Sequence, residues 1–272
     1  RLAKRAERRQ ARPTVRWLGI DEISLKKGHR DFVLVLSDLK RHAVIAILAE
    51  RSQAALEQWL DGLSAEECAS IQLVAMDMWG PYRGVIQVKL AHARIVADRF
   101  HVMRQLNDRI GQLRRALQTR TDPEHGELLK GTRWLLVKNR ADLKPEEETK
   151  LQAVLTAFPE LRTAYLLKEE FRTICEKLRS RDLARRFLQA WLWRAEASGL
   201  SQLRKFAQTL RNWWDEFLNY FDERVTSGVV EGLNRAIRAI IRRACGYQIF
   251  EHFRLQVLVE HGGFDTPSPP LI

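Results

Sequence analysis

The stretch Val15-Arg16-Trp17-Leu18-Gly19-Ile20-Asp21 decides the fold class of this chain of 272 residues. Its apolar, β-rich residues predict a buried strand, and a second such run, Ile71-Gln72-Leu73-Val74-Ala75-Met76, is followed by Asp77 in the same way. A carboxylate just past a buried strand of an α/β sheet lies in the crevice at the carboxyl edge, where ligands bind. We therefore expect Asp21 and Asp77 to gather at one edge of a sheet.

The residues between and around these two runs predict the order βββαβαβ. The first three strands are connected so closely, with a tight turn at 40–42, that they are typical of an antiparallel meander. Ser52 is placed to cap the first helix, and Gly80-Pro81 begins the second. We predict strands at 17–23, 32–36, 43–48, 71–76 and 93–97, and helices at 52–63 and 80–90.

The composition favours a nucleic-acid partner. The chain has 46 Lys and Arg against 34 Asp and Glu, a net charge of +12, which bears on partners and not on the fold. Its 3 cysteines lack CxxC spacing, so neither a disulfide framework nor a zinc site is indicated, and a reducing cytoplasm fits best. No apolar run approaches the roughly 20 residues of a membrane-spanning helix, so no membrane partner is expected.

A third acid, Glu231, lies at the start of a helix predicted over about 229–245 that has two distinct faces. Behind it, Arg235, Arg238 and Arg242 recur at helical spacing, and a row of guanidinium groups suits bidentate contacts with DNA phosphates. The alternative is a solvated surface helix in which Glu231 pairs with Arg235, worth only about 0.2–0.5 kcal/mol. The opposite, apolar face should pack on the sheet and consists of Val230, Leu233, Ile237, Ile240, Ile241 and Ala244.

Three acids on separate elements, Asp21, Asp77 and Glu231, are typical of a divalent-metal site for phosphoryl transfer. Two ions roughly 3.5 to 4 Å apart activate a water or a 3′-hydroxyl and stabilise the leaving oxygen of a phosphodiester. Each aspartate also has an ordinary explanation, because Asp21 could pair with a nearby lysine and Asp77 could cap the next helix. Glu22 competes with Asp21, since adjacent strand residues face opposite sides and only one enters the cleft.

Residues 103–226 show helical periodicity punctuated by Pro123, Pro145, Pro159 and Gly199. This pattern predicts an all-helical insertion that contains five of the 8 tryptophans. We expect most of these to be core residues, with any single one a candidate for stacking on an unpaired base. The predicted division is a basic segment at 1–14, an α/β domain in two parts at 15–102 and 227–262, the insertion at 103–226 and a tail at 263–272.

Five motifs occur in an order that resembles a known family. Together, over about residues 15–260, they are similar to the ISL3 family of bacterial insertion-sequence transposases. The βββαβαβ order itself resembles the ribonuclease H-like fold of DDE transposases and retroviral integrases. The motifs are Gly19-Ile20-Asp21-Glu22 followed by Lys26-Lys27-Gly28-His29, Asp77-Met78-Trp79-Gly80-Pro81-Tyr82, Asp98-Arg99-Phe100-His101-Val102, Thr226-Ser227-Gly228-Val229-Val230-Glu231-Gly232-Leu233-Asn234, and Arg242-Arg243-Ala244-Cys245-Gly246-Tyr247.

The resemblance implies an α/β fold: a ribonuclease H-like mixed sheet, interrupted by the helical insertion and closed by a catalytic helix. It also implies a catalytic triad of Asp21, Asp77 and Glu231 that binds Mg²⁺ or Mn²⁺, and DNA cleavage with strand transfer at transposon ends by a homo-oligomer. Asp98 and His101 are auxiliary residues by the same resemblance, although a buried, hydrogen-bonded histidine is the plainer explanation. The residues assigned to DNA contact are Lys26, Lys27, Asn234, Arg235, Arg238, Arg242 and Arg243.

The resembling transposases carry an N-terminal zinc-binding and helix-turn-helix region that binds the terminal repeats, and none is visible in this sequence. The expectation is therefore a fragment or a decayed copy, in which end-specific binding is in doubt. Two other classes stay open. One is a non-catalytic DNA-binding remnant that would not need metal, and the other is a ribonuclease H-like, structure-specific nuclease, which the helical insertion disfavours.

Overall fold

The computed structural model describes residues 14–26, 30–225 and 227–262. They form two compact units: one combines the residues up to Asp98 with those from Val225 onward, and the other is Arg99–Arg224. The second unit begins four residues before the start of the predicted insertion and ends two residues before the end of that insertion. The predicted tail, Lys27 and all but the last residue of the predicted basic segment lie outside the described residues.

The first unit contains a five-stranded mixed sheet in the order β3-β2-β1-β4-β5. β1 is antiparallel to β2 and parallel to β4, and β4 is parallel to β5. The predicted mixed α/β sheet and its five strands are therefore confirmed. The strands are β1 (Trp17–Lys26), β2 (Arg30–Asp38), β3 (Ala43–Leu48), β4 (Leu73–Met76) and β5 (Arg94–Ala97).

Helices account for most of the remaining described residues. In the first unit they are α1 (Gln53–Asp61), α2 (Ala65–Ser70), α3 (Gly80–Lys89), α12 (Ser227–Arg243) and α13 (Phe250–His261). In the second they are α4 (Arg99–Arg120), α5 (Pro123–Leu128), α6 (Arg133–Val137), α7 (Pro145–Ala157), α8 (Pro159–Lys177), α9 (Arg181–Ala197), α10 (Ser201–Asn212) and α11 (Trp214–Glu223). None of the helices in the described part of the chain is both long and apolar enough to cross a membrane.

The apolar face of α12 packs on the sheet as predicted. Leu233, Ile237 and Ile240 are buried against strand residues such as Val35, and α13 contributes to the same core. Fully burying a side chain of this size contributes about 1.5–3 kcal/mol, so these contacts hold α12 in one rotational setting. The remaining buried members of this core are Ile23, Val33, Val44, Ile47, Phe253, Val257 and Leu258.

Gly19 is required by the close approach of β1 to its neighbours. A Cβ at this position would lie 2.5 Å from Ser37 Oγ and 2.6 Å from Leu39 Cδ2. Real Cβ atoms do not come this close to other heavy atoms, so any larger residue would displace the Ser37 and Leu39 side chains two residues before Asp21.

The second unit is built around buried aromatic rings. Trp191 is fully buried, its ring contacts Phe171 and Phe206, and its indole N–H donates to the Leu167 carbonyl at 2.7 Å. Of the five tryptophans expected to be mostly core, Trp191 and Trp213 are buried and Trp214 is half-buried, whereas Trp134 and Trp193 are both 69 % exposed.

Lys168 is a buried cation in this second unit. Its ammonium group donates to the carbonyls of Leu136 at 2.7 Å and Lys138 at 3.3 Å, where α6 ends, and it pairs with Glu169 at 2.6 Å. Burial lowers the pKa of Lys168 to about 8, although the Glu169 carboxylate acts in the opposite direction.

Candidate metal centre

The register between β1 and β4 brings the two predicted aspartates together. Ile20 pairs with Met76, so Asp21 and Asp77 are the next residues on neighbouring parallel strands. One carboxylate oxygen of each lies within 4.8 Å of the other. Asp21 lies inside β1, which continues to Lys26, and not at a strand end as predicted. It still occupies the carboxyl edge, because β4 stops at Met76.

Asp21 is held by hydrogen bonds on both of its carboxylate oxygens. The side chain is only 8 % exposed. Its Oδ1 accepts from the backbone N–H of Glu22 at 2.7 Å, and its Oδ2 accepts from the side-chain amide of Asn234. Two such bonds fix the direction of the carboxylate, because bonds to an ionised acceptor are among the strong ones.

Asp77 is not the N-cap of the helix that follows it. The N-cap of α3 is Trp79, whose side chain forms no capping hydrogen bond, and Pro81 occupies the first turn. The ordinary explanation considered for Asp77 therefore does not account for its position.

Glu22, the competing acid, faces a different set of partners. Its Oε1 accepts from Arg51 Nε at 2.7 Å and from the Tyr82 hydroxyl at 3.3 Å. Burial is the main reason why its pKa is raised, and the charge of Asp77 raises it further, whereas Arg51 lowers it. The structure thus selects Asp21 as the partner of Asp77, with Glu22 ion-paired beside them.

Glu231 points toward an arginine of its own helix. Its carboxylate accepts a hydrogen bond from Arg235, the i,i+4 pair considered as the alternative above. Glu231 lies outside the group of described residues whose ligand atoms come within 4.8 Å of both aspartates. Asn234, one turn further along α12, does reach Asp21, so the N-terminal part of this helix lies beside the aspartate pair.

The other arginines of α12 differ in their contacts. Arg235, Arg238, Arg242 and Arg243 are all exposed. Arg243 is ion-paired with Glu260 of α13. For Arg238 and Arg242, the described residues provide no ion pair or side-chain hydrogen bond. These two guanidinium groups are therefore available for phosphate, while Arg235 and Arg243 would first have to leave a carboxylate.

A small open cleft lies at the same edge of the sheet. It is lined in part by Ile20, Met76, Asp98 and Val230. Asp98 follows β5, and its backbone N–H donates to the Met76 carbonyl at 2.9 Å. His101 belongs to the second unit, in the first turn of α4, where its ring meets that of Phe100 edge-on at 5.4 Å. The auxiliary roles of Asp98 and His101 stay predictions.

The donor atoms at this edge fit a hard divalent cation. Carboxylate and amide oxygens are the ligands that Mg²⁺ and Mn²⁺ prefer. Two carboxylates within 4.8 Å also repel each other, and a cation between them reverses that interaction. The side chains of Asp21 and Asp77, with the neighbouring amide of Asn234, are therefore suited to such an ion.

The comparisons with known proteins show that the chain is similar to transposases. The chain is 33 % identical over 247 residues to the transposase for insertion sequence element IS1001 of Bordetella parapertussis, covering 89 % of this chain and 60 % of the relative. It is 26 % identical over 257 residues to the transposase for insertion sequence element IS1557 of Mycobacterium tuberculosis, covering 86 % and 57 % respectively.

The chain can also be assigned to one family of transposases. A family model described as a transposase, the ISL3 type of DDE transposase, matches residues 18–257, and the chain therefore belongs to the ISL3 transposase family. The chain spans about three fifths of the length of the two relatives. No solved structure matches it.

Sequence reasoning missed the contact between Asn234 and Asp21. Asn234 was assigned to DNA, yet its side chain is only 7 % exposed and donates to the aspartate. A signal was present: Val230, Asn234, Ile237 and Ile241 recur at helical spacing, which places a polar residue within an apolar stripe. The partner could not be found this way, because it lies 213 residues earlier in the chain.

Proposed function

We propose that this chain is the catalytic region of a DDE transposase with a ribonuclease H-like fold, which cleaves DNA and transfers its 3′ ends to a target. The observation that carries the proposal is the pair of carboxylates at 4.8 Å or less, held by the register of two parallel strands. Membership of the ISL3 family and the β3-β2-β1-β4-β5 order are consistent with it.

In this proposal Asp21 and Asp77 hold Mg²⁺ or Mn²⁺. When bound, the metal would lower the pKa of a water or 3′-hydroxyl and stabilise the leaving oxygen of the phosphodiester. Glu231 would complete the metal site, which requires its carboxylate to leave Arg235. That exchange costs little, because an exposed i,i+4 pair is worth only about 0.3–0.5 kcal/mol. Asp98 assists at the same edge, and His101 keeps the auxiliary role that the family resemblance implies.

Arg238 and Arg242 bind DNA phosphates along α12. Arg235 and Arg243 bind phosphate too, once each has left the glutamate with which it is ion-paired. Lys26 and Lys27 are proposed to contact DNA as well. The chain works as a homo-oligomer on paired transposon ends.

A cleavage assay tests the proposal. The substrate is DNA carrying the flanking ends from the source genome, supplied both intact and already nicked at the transposon ends, with Mg²⁺ or Mn²⁺. We expect metal-dependent joining of the nicked ends, and we expect Asp77→Asn to abolish it while DNA affinity stays similar or rises. The matched control is Asp61→Asn, which removes an exposed acid paired with Lys89 and should leave joining intact.

Two outcomes would reject the proposal in different ways. DNA binding without cleavage in wild type and variant alike would identify a DNA-binding remnant. Cleavage without joining, on branched DNA in preference to linear ends, would identify a structure-specific nuclease.

A further inference from the structure

The amide of Asn234 has only one orientation that suits its neighbour. An ionised carboxylate accepts hydrogen bonds and donates none, so the NH₂ group of Asn234 must face Asp21 Oδ2. The carbonyl oxygen, Oδ1, then points away from the aspartate.

This carbonyl oxygen is buried without a hydrogen-bond partner among the described residues. The side chain is 7 % exposed, so bulk water does not solvate it freely. Buried acceptors in native proteins are nearly always paired, and an orphaned one beside a carboxylate pair indicates a donor that arrives with a ligand.

The position of Asn234 is rigid. The neighbouring residues Leu233 and Ile237 are buried in the core that α12 forms with the sheet. Rotating α12 about its own axis would expose those side chains, so the backbone at Asn234 is held by packing. The amide itself is held by its hydrogen bond to Asp21.

We propose that Asn234 is a positioning residue of the metal centre. Its N–H group holds Asp21 in the orientation that binds the cation, and its carbonyl oxygen accepts a hydrogen bond from a water bound to that cation. The inference rests on the proposed function, because it assumes that Asp21 and Asp77 bind a divalent ion. It differs from the role first assigned to Asn234, which was contact with DNA.

The test measures Mn²⁺ binding to the full chain by the loss of the free Mn²⁺ signal in electron paramagnetic resonance. We expect Asn234→Ala to weaken Mn²⁺ binding about 10- to 100-fold, the usual effect of removing a group that orients a metal ligand. DNA affinity without metal should stay within about twofold, because the arginines of α12 are unchanged. Asn219→Ala is the matched control, since it removes an amide that accepts from Arg181 at 2.7 Å in the other unit.

The outcomes separate this inference from the proposed function. If wild type binds no Mn²⁺, the proposed function fails and the inference fails with it. If wild type binds Mn²⁺ and Asn234→Ala binds it as tightly as Asn219→Ala does, only the inference is overturned. A loss of DNA affinity in Asn234→Ala without a change in Mn²⁺ binding would restore the original assignment to DNA. Should Asn234→Ala fail to fold, Asn234→Ser keeps a polar group too short to reach Asp21 and is held to the same expectation.

Discussion

Replacing Asp77 with asparagine should make the metal-free protein more stable. Its carboxylate lies within 4.8 Å of that of Asp21, and its charge also raises the pKa of Glu22. Two unit charges at that separation repel by about 3.5 kcal/mol at an effective dielectric constant near 20. Asp77 is partly exposed, so solvent screening reduces the expected gain to about 1–2 kcal/mol. For a domain of this size that is a rise in Tm of roughly 2–8 °C.

Thermal unfolding in EDTA measures the stability of the metal-free protein, and unfolding in excess Mg²⁺ measures the gain from metal binding. Wild type should gain stability with Mg²⁺, by about 2.7 kcal/mol at a concentration 100 times the Kd. Asp77→Asn should start higher in EDTA and gain little from Mg²⁺, because one ligand of the ion is gone. A lower Tm than wild type in EDTA, or an undiminished response to Mg²⁺, would refute the argument.

Asp38→Asn is the control for this prediction. Asp38 is a buried acid of the same sheet, and its Oδ1 accepts from the backbone N–H groups of Lys40 at 2.9 Å and Arg41 at 3.1 Å. Neutralising it weakens charge-assisted hydrogen bonds and relieves no repulsion within the aspartate pair. Its Tm should therefore fall, and its response to Mg²⁺ should match that of wild type.

Three further predictions concern packing, pH and DNA. Gly19→Ala should cost about 1–3 kcal/mol in urea unfolding, whereas Gly84→Ala, with nothing within 4 Å of the new Cβ, should not destabilise the protein. The pKa of Lys168 is about 8, below its ordinary 10.5, so between these two pH values the unfolded chain binds more protons than the folded chain. The urea midpoint of wild type, measured relative to that of Lys168→Met, should therefore rise with pH over this range. A difference in midpoint that does not change with pH would contradict the lowered pKa. Arg238→Ala should weaken DNA binding and reduce the salt slope by about 0.9 for one lost phosphate contact. Arg211→Ala, which removes an arginine already ion-paired, should leave that slope unchanged.

The strands and the two aspartates could be predicted because their signals are local. An apolar run of strand length with an acid after it is visible in any short window, and so is the two-faced pattern of α12. The registers are not local. The pairing of Ile20 with Met76, which makes Asp21 and Asp77 neighbours, depends on how β1 and β4 align across the intervening residues.

Two helix errors have different physical reasons. The breaks predicted in the insertion, at Pro123, Pro145, Pro159 and Gly199, leave out the one at Trp213, where α10 and α11 meet without a proline or glycine. α2 was missed although Ser64 and Glu67 form a complete capping box. It contains no buried residue, so it lacks the apolar periodicity on which the prediction relied.

The contact between Asn234 and Asp21 spans 213 residues, and this separation delays its formation during synthesis on the ribosome. At about 5–20 residues per second, the ribosome needs roughly 10–40 s between the two residues. During that interval β1, β2 and β3 lack the buried side chains of α12 and α13 that cover their core face. The apolar face of the nascent sheet therefore stays exposed during that interval, so chaperones can bind it and the chain can aggregate through it. The surroundings of the aspartate pair are then among the last parts of the first unit to assemble, so an interrupted chain would carry the two aspartates without the helix that lies beside them.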